Sequence, residues 1–261
     1  MKIHRIYAIL LRNLYLFRRS YDRLADSFYW ITLDLLTWGI TGVYFQSFSP
    51  DSQNIVFMLI SGVVLWNLVY RTQSDINVSL LEELWNKNLI NLFVSPLKFS
   101  EFISGLVILG VVKAMISLMF GTLLAWLFFH ISILSYSIHL IFFFLSLVLT
   151  GIWVGFMISS VILRFGTRIQ TLAWTFVWIV SPFSAIYYPL ETLPQWAQFI
   201  SRALPTSYVF EQGRNLLLHG QVNYLMIAIS FVLNAVYIVG AFFFLKSSFR
   251  KVLDKGLVKV Y

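Results

Sequence analysis

The sequence predicts an all-α polytopic membrane protein with six membrane-spanning helices. Three observations carry that expectation. Hydrophobic residues make up 59% of the chain and charged residues 11%, which leaves too little polar surface to cover a water-soluble domain. Six apolar runs approach or exceed the roughly 20 residues that cross a bilayer. Lysine and arginine gather in alternate connections between those runs, as the positive-inside bias requires.

Residues 1–23 form a basic amphipathic helix. Ile3, Ile6, Leu10, Leu14 and Phe17 fall on one face, with Lys2, Arg5, Arg12 and Arg19 mostly elsewhere. This is the pattern of a helix lying in the membrane interface, its cations near anionic lipid; a helix packed on a soluble partner is the alternative. The scattered basic residues leave no clean apolar core before a small-residue cleavage site, so the segment is not read as a signal peptide. Spans are expected at residues 28–48, 55–78, 102–129, 138–163, 169–187 and 224–245. The turn Ser49-Pro50-Asp51-Ser52 ends the first, and Arg71 and Asp75 make the far end of the second more polar. The N-terminal segment, the connection holding Lys87 and Lys98, the turn holding Arg164 and Arg168, and the tail with Lys246, Arg250, Lys251, Lys255 and Lys259 are basic. Residues 49–54 and 131–137 carry no lysine or arginine. Both termini are therefore expected in the cytoplasm.

Several function classes drop out. The chain has no cysteine, which excludes disulfides and thiolate metal sites. The net charge of +8 sits beside apolar runs and is read as a membrane-facing charge, with no nucleic-acid partner. No G-x-x-x-x-G-K-[ST], H-E-x-x-H or G-x-S-x-G occurs, so the chain is not expected to be catalytic by itself or to hold a nucleotide. His4, His130, His139 and His219 are scattered among connections and read as interfacial aromatics, not metal ligands.

The largest cytoplasmic connection, residues 79–94, reads as a short amphipathic helix. Ser79 with Glu82 has the spacing of a capping box, and Glu83 with Lys87 is an i,i+4 pair in the favourable order. Leu81, Leu84, Trp85, Leu89 and Leu92 make an apolar stripe, and Ser95-Pro96 ends the helix. Such a helix can receive force from a motor; lying on lipid is the alternative. Two charges lie deep in spans, Asp34 and Lys113. Intramembrane charges face the bundle interior or water. Substrate contact, a proton relay, an internal ion pair and snorkelling all stay open, and a direct Asp34–Lys113 pair is expected. Gly151 and Gly155 form a G-x-x-x-G that permits close helix packing. Trp174, Trp178 and Tyr187 make the fifth span aromatic, as a translocation path or as interfacial anchors.

Residues 190–220 differ from the apolar runs around them. Pro194 suits a first helical turn, and Trp196, Phe199, Ile200 and Ala203 recur at helical spacing. Leu204-Pro205 breaks that helix, and a second runs from about Thr206 to Leu218, stopped by Gly220. Each piece is too short to span, which predicts a re-entrant helical hairpin on the outer side; a surface loop with two interfacial helices is the alternative. Trp196, Phe199, Ile200, Phe210, Leu217 and Leu218 are expected against the spanning helices. Glu211 and Arg214, i,i+3 on the second helix, each need a partner: one another, or a substrate head group.

Leu204-Pro205-Thr206-Ser207-Tyr208 followed by Glu211, Arg214 and Gly220, with Tyr188-Pro189-Leu190 and Leu193-Pro194 before it, resembles the closing signature of type-2 ATP-binding-cassette (ABC-2 type) exporter permeases. The Glu82-Glu83-Leu84-Trp85-Asn86-Lys87-Asn88-Leu89 segment resembles their coupling helix. The resemblance implies a permease subunit that exports an amphipathic substrate: a lipid-linked oligosaccharide or polysaccharide, a lipid, or a hydrophobic drug. Residues 18–26 depart from the arginine-rich segment of polysaccharide permeases, so the three classes stay open. It also implies a separate ATPase subunit carrying ATP and magnesium, a second permease copy in a homodimer, and a bacterial-type inner membrane. Pro194, Trp196, Pro205, Tyr208, Glu211 and Arg214 would form the outer gate. The rival reading is an ion-coupled secondary transporter using Asp34 and Lys113.

Overall fold

The computed structural model describes residues 1–48 and 54–254. The turn expected at Ser49–Ser52 and the tail lysines Lys255 and Lys259 lie outside them. The described residues are helical, without strands: α1 Ile3–Arg19, α2 Tyr21–Phe48, α3 Asn54–Trp85, α4 Leu89–Val94, α5 Phe99–Phe129, α6 His139–Phe165, α7 Leu172–Val180, α8 Gln195–Ala203, α9 Pro205–His219 and α10 Tyr224–Asp254.

Among the described residues, four helices are long and apolar enough to cross a membrane: α3, α5, α10, and α6 with the tight turn that continues it to Ile169. The other two expected spans fall short for different reasons. Helix α2 has 28 residues, starts seven positions earlier than expected, and is diluted by Thr32, Asp34, Thr37 and Thr41. Helix α7 has nine residues, roughly 14 Å of rise. The turn Gly166–Ile169 delays its start, and a tight turn at Ser181–Phe183, with Pro182 inside, ends it. Ala185, at φ 54, then takes the chain into non-helical backbone.

Helix α3 is the axis of the bundle, packed by α2, α5, α6 and α7. Its contact with α6 is close because Gly151 and Gly155 face Thr72 and Ile76. A Cβ at Gly151 would lie 2.6 Å from Thr72 Cβ and 2.9 Å from the Val69 carbonyl; backbone there cannot yield. Gly151→Ala is therefore expected to destabilise by about 1–3 kcal/mol through overpacking. Gly240→Ala, with nothing within 4 Å, serves as control. Thermal unfolding in detergent checks the pair, and equal midpoints would refute close packing at this seam.

Two sequence expectations are corrected at the end of α3. No new helix begins at Ser79. Ile76, Leu80 and Leu84 continue the apolar periodicity of α3 without a breaker, and the helix runs on to Trp85. The break comes at Asn86–Asn88, where Lys87 has φ 52. Lys87 is therefore not on the helix with Glu83, and the expected pair does not form. Helix α1 is shorter than expected and stops at extended Ser20. It docks on α5, where Ile9 meets Gly105.

Candidate functional site

The contacts divide the molecule into two ends. Arg5, Arg12, Arg23 and Arg164 gather at a basic end, on Glu101, Glu83, Glu82 and Ser248. The α8–α9 hairpin occupies the other.

At the hairpin end, Pro205 occupies the first position of α9, where its missing N–H is no loss. The break strands carbonyls at the end of α8, and hydroxyls take them up. Ser207 Oγ donates to the carbonyls of Ser201 at 2.6 Å and Leu204 at 2.8 Å. Tyr208 donates to Arg202 at 2.8 Å, and Tyr237 of α10 to Ala203 at 2.8 Å. Ser230 of α10 donates to the Pro205 carbonyl at 2.8 Å. The bend is thus fixed to α10 from two positions. Ser230 also lies 2.6 Å from Ser146 of α6, beside Asn234, whose side chain accepts from Thr150 and Trp153 and donates to Ser146.

Glu211 and Arg214 find each other at 2.6 Å. Arg214 also donates to the Ala185 carbonyl at 2.7 Å and the Ile186 carbonyl at 3.4 Å, and Glu211 accepts the Leu190 N–H at 2.7 Å. The pair therefore ties α9 to the irregular segment after α7. That segment touches α3, since Gly62 faces the Ile186 carbonyl. Nearby, Ser61 and the Tyr136 hydroxyl are 2.9 Å apart, and burial pushes the Tyr136 phenol up to about 12. Pro194 caps α8. Phe210 is buried as expected, but Trp196, Phe199, Ile200 and Leu218 are exposed. Helix α8 instead buries its small face, Ala197 and Ser201, which allows closer backbone approach; Trp196 keeps an edge-on contact with Phe183.

The basic end is held by ion pairs. Arg12 pairs with Glu83, which also accepts from Asn88 at 2.7 Å. Arg23 pairs with Glu82 at 2.8 Å. Glu101 is fully buried, ahead of the apolar run that begins at Phe102. The N–H groups of Lys98 and Lys2, at 3.0 and 2.7 Å, donate to its carboxylate, with Arg5 beside them. A cavity of about 190 Å³ opens among α1, α2, α3, α5 and α7, lined by Asp26, Arg71, Asp75, Glu82, Lys113 and Trp174 among others. Arg71, 3% exposed, reaches Asp26 at 3.2 Å and Asp75 at 3.9 Å. Lys113 reaches Asp75 at 2.8 Å.

The expected Asp34–Lys113 pair is absent. Phe28 packs on Phe120 and Ile31 on Gly121, so Lys113 lies toward the basic end of this register and Asp34 toward the hairpin end. Helix rise separates them by roughly 20 Å. The lysine side chain points toward its helix N-terminus and meets Asp75.

Leu81, Leu84 and Leu89 are buried within the chain and offer no docking face. Trp85, at 46% exposure, is the large apolar residue of that stripe left outward. It donates to Gln170 at 2.9 Å and stacks on Trp174 at 6.5 Å. Trp178 packs on Tyr70, and Tyr187 stacks on Trp38. These contacts run along the groove between α3 and α7 and on to α2. In the sequence Arg71 and Asp75 show only as a more polar end of the second span, and Ser230, Asn234 and Tyr237 leave no signal. Protein-family models and curated proteins give no match to this sequence.

Proposed function

We propose that the chain is the permease subunit of an ATP-driven exporter of the type-2 ABC kind, moving an amphipathic substrate. In this reading α2, and α7 together with the tight turns on either side of it, complete six spans, α8 and α9 form the outer re-entrant hairpin, and the basic end faces the cytoplasm. A separate ATPase subunit supplies ATP chemistry, and two copies of the chain enclose the path. The observation that supports it best is mechanical. One buried helix, α3, presents exposed Trp85 at the basic end and touches the Arg214-tethered segment at the other. A motor contact and a gate would thereby share one rod. The ion-coupled rival relied on Asp34 and Lys113 together, and Lys113 is bound to Asp75.

The test is co-purification with candidate ATPases, followed by substrate-stimulated hydrolysis. Arg214→Ala and Glu211→Ala are expected to lower export at least tenfold while leaving the complex assembled. Cysteines placed at Gln195 or Gln212 should label differently with and without ATP. Absence of any ATPase association would overturn the reading.

A further inference from the structure

We infer that Asp34, with the stacked rings of Trp38 and Tyr187, forms a binding site for a lipophilic organic cation. Asp34 lies about 20 Å along α2 from its start, in the part of the helix that runs beside α3 and α5. It is half-buried, and among the described residues no hydrogen bond or ion pair reaches it. A carboxylate at membrane depth faces water, a proton or a cation. The chain does not supply that cation. Lys113 is bound to Asp75 and Arg214 to Glu211. The sequence has no lysine or arginine from 24 to 70, from 114 to 163, from 169 to 201, or from 215 to 245.

The surroundings select the kind of cation. Trp38 is one turn from Asp34, on the same helix face. Its ring lies over that of Tyr187 at 4.1 Å, with 16° between planes. Aromatic faces attract organic cations and offer apolar surface at once. They offer no oxygen cage for an inorganic ion, and no group of three acidic or histidine side chains among the described residues could hold a metal. Exposed Leu33 and Ile40 flank the site, so it opens sideways, where a membrane-dissolved ligand arrives. One rival remains: among the described residues the guanidinium of Arg202, on α8, meets no carboxylate, its carbonyl alone accepting from Tyr208, and a second copy's Arg202 is the other cation to consider.

This deepens the export reading by naming its substrate class and rests on it for the direction of movement; binding itself needs no ATPase. The probe is tetraphenylphosphonium, whose charge does not change with pH, titrated by equilibrium dialysis against the purified chain in nanodiscs. Saturable binding is expected, weakened at least tenfold by Asp34→Asn, weakened by Trp38→Ala, and retained by Asp34→Glu and Arg202→Gln. Tetraphenylborate, of like shape and opposite charge, dialysed separately because it ion-pairs with the probe, should show no binding that depends on Asp34. Absence of saturable probe binding, full binding by Asp34→Asn, or tetraphenylborate binding that Asp34→Asn abolishes would overturn the inference. Parallel loss of dimer in Asp34→Asn and Arg202→Gln would do so too, by assigning Asp34 to a contact between copies. None of these results bears on ATPase association, so the two readings fail separately.

Discussion

Asp75→Ala is expected to lower stability by about 3–5 kcal/mol, the range for breaking a buried ion pair by removing one partner. Asp75 is 6% exposed and serves two cations. Without it, Arg71 keeps Asp26 and the Asp26 carbonyl, at 3.2 and 3.0 Å. Lys113 keeps the face of Phe17, at 4.7 Å, and the more distant charge of Glu82 across the cavity, but no direct ion pair. The loss should therefore come mainly from Lys113, and Asp75→Ala with Lys113→Met should recover most of it, since a paired removal leaves no orphan charge. Thermal unfolding of the two variants in detergent decides. A single variant within 1 kcal/mol of the parent would mean that Lys113 reaches water through the adjoining cavity and that the cluster is solvated.

On the proposed export reading, Trp85→Ala should separate folding from coupling. The indole stands at the elbow where α3 ends, partly exposed, with a flat contact on Trp174. Its truncation opens no core cavity, so stability should change by less than about 1 kcal/mol. Exposed tryptophans at protein contacts carry disproportionate binding energy, so ATPase stimulation and export are expected to fall at least tenfold. Leu84→Ala is the contrast. Leu84 is 1% exposed, and its loss should cost about 2–5 kcal/mol through the cavity left. A Trp85→Ala protein that stimulates hydrolysis and exports normally would remove the elbow from the coupling scheme.

The parts of the fold legible in the sequence were those set by local patterns. Long apolar runs located α3, α5, α6 and α10, and Leu204-Pro205 located the bend between α8 and α9. The start of a separate helix at Ser79 misled because a capping-box spacing has no meaning inside a continuing apolar stripe. The helix of the fifth apolar run is shorter than expected because hydropathy does not register a turn before it or Pro182 after it. Pairing was the harder problem. Glu211 and Arg214 are neighbours on one helix, so their contact follows from spacing. Lys113 and Asp75 meet only through the register of α5 on α3, which depth counts from guessed span ends cannot supply. The hydroxyl latch on the hairpin is equally non-local, since Ser230 and Tyr237 look like ordinary residues of an apolar run.

The burial of α3 has a consequence for hydrogen exchange. Its 32 residues contain no proline, and 83% of its apolar window is enclosed by the rest of the chain. Amides in such an element open only with the whole fold, whereas the nine-residue α7 can loosen alone; the irregular stretch beyond it is pinned to α9 by Arg214 and Glu211. Any displacement passed between the two ends must then travel as the shift of an unmelted rod, while the adjustment is absorbed by the short helix beside it.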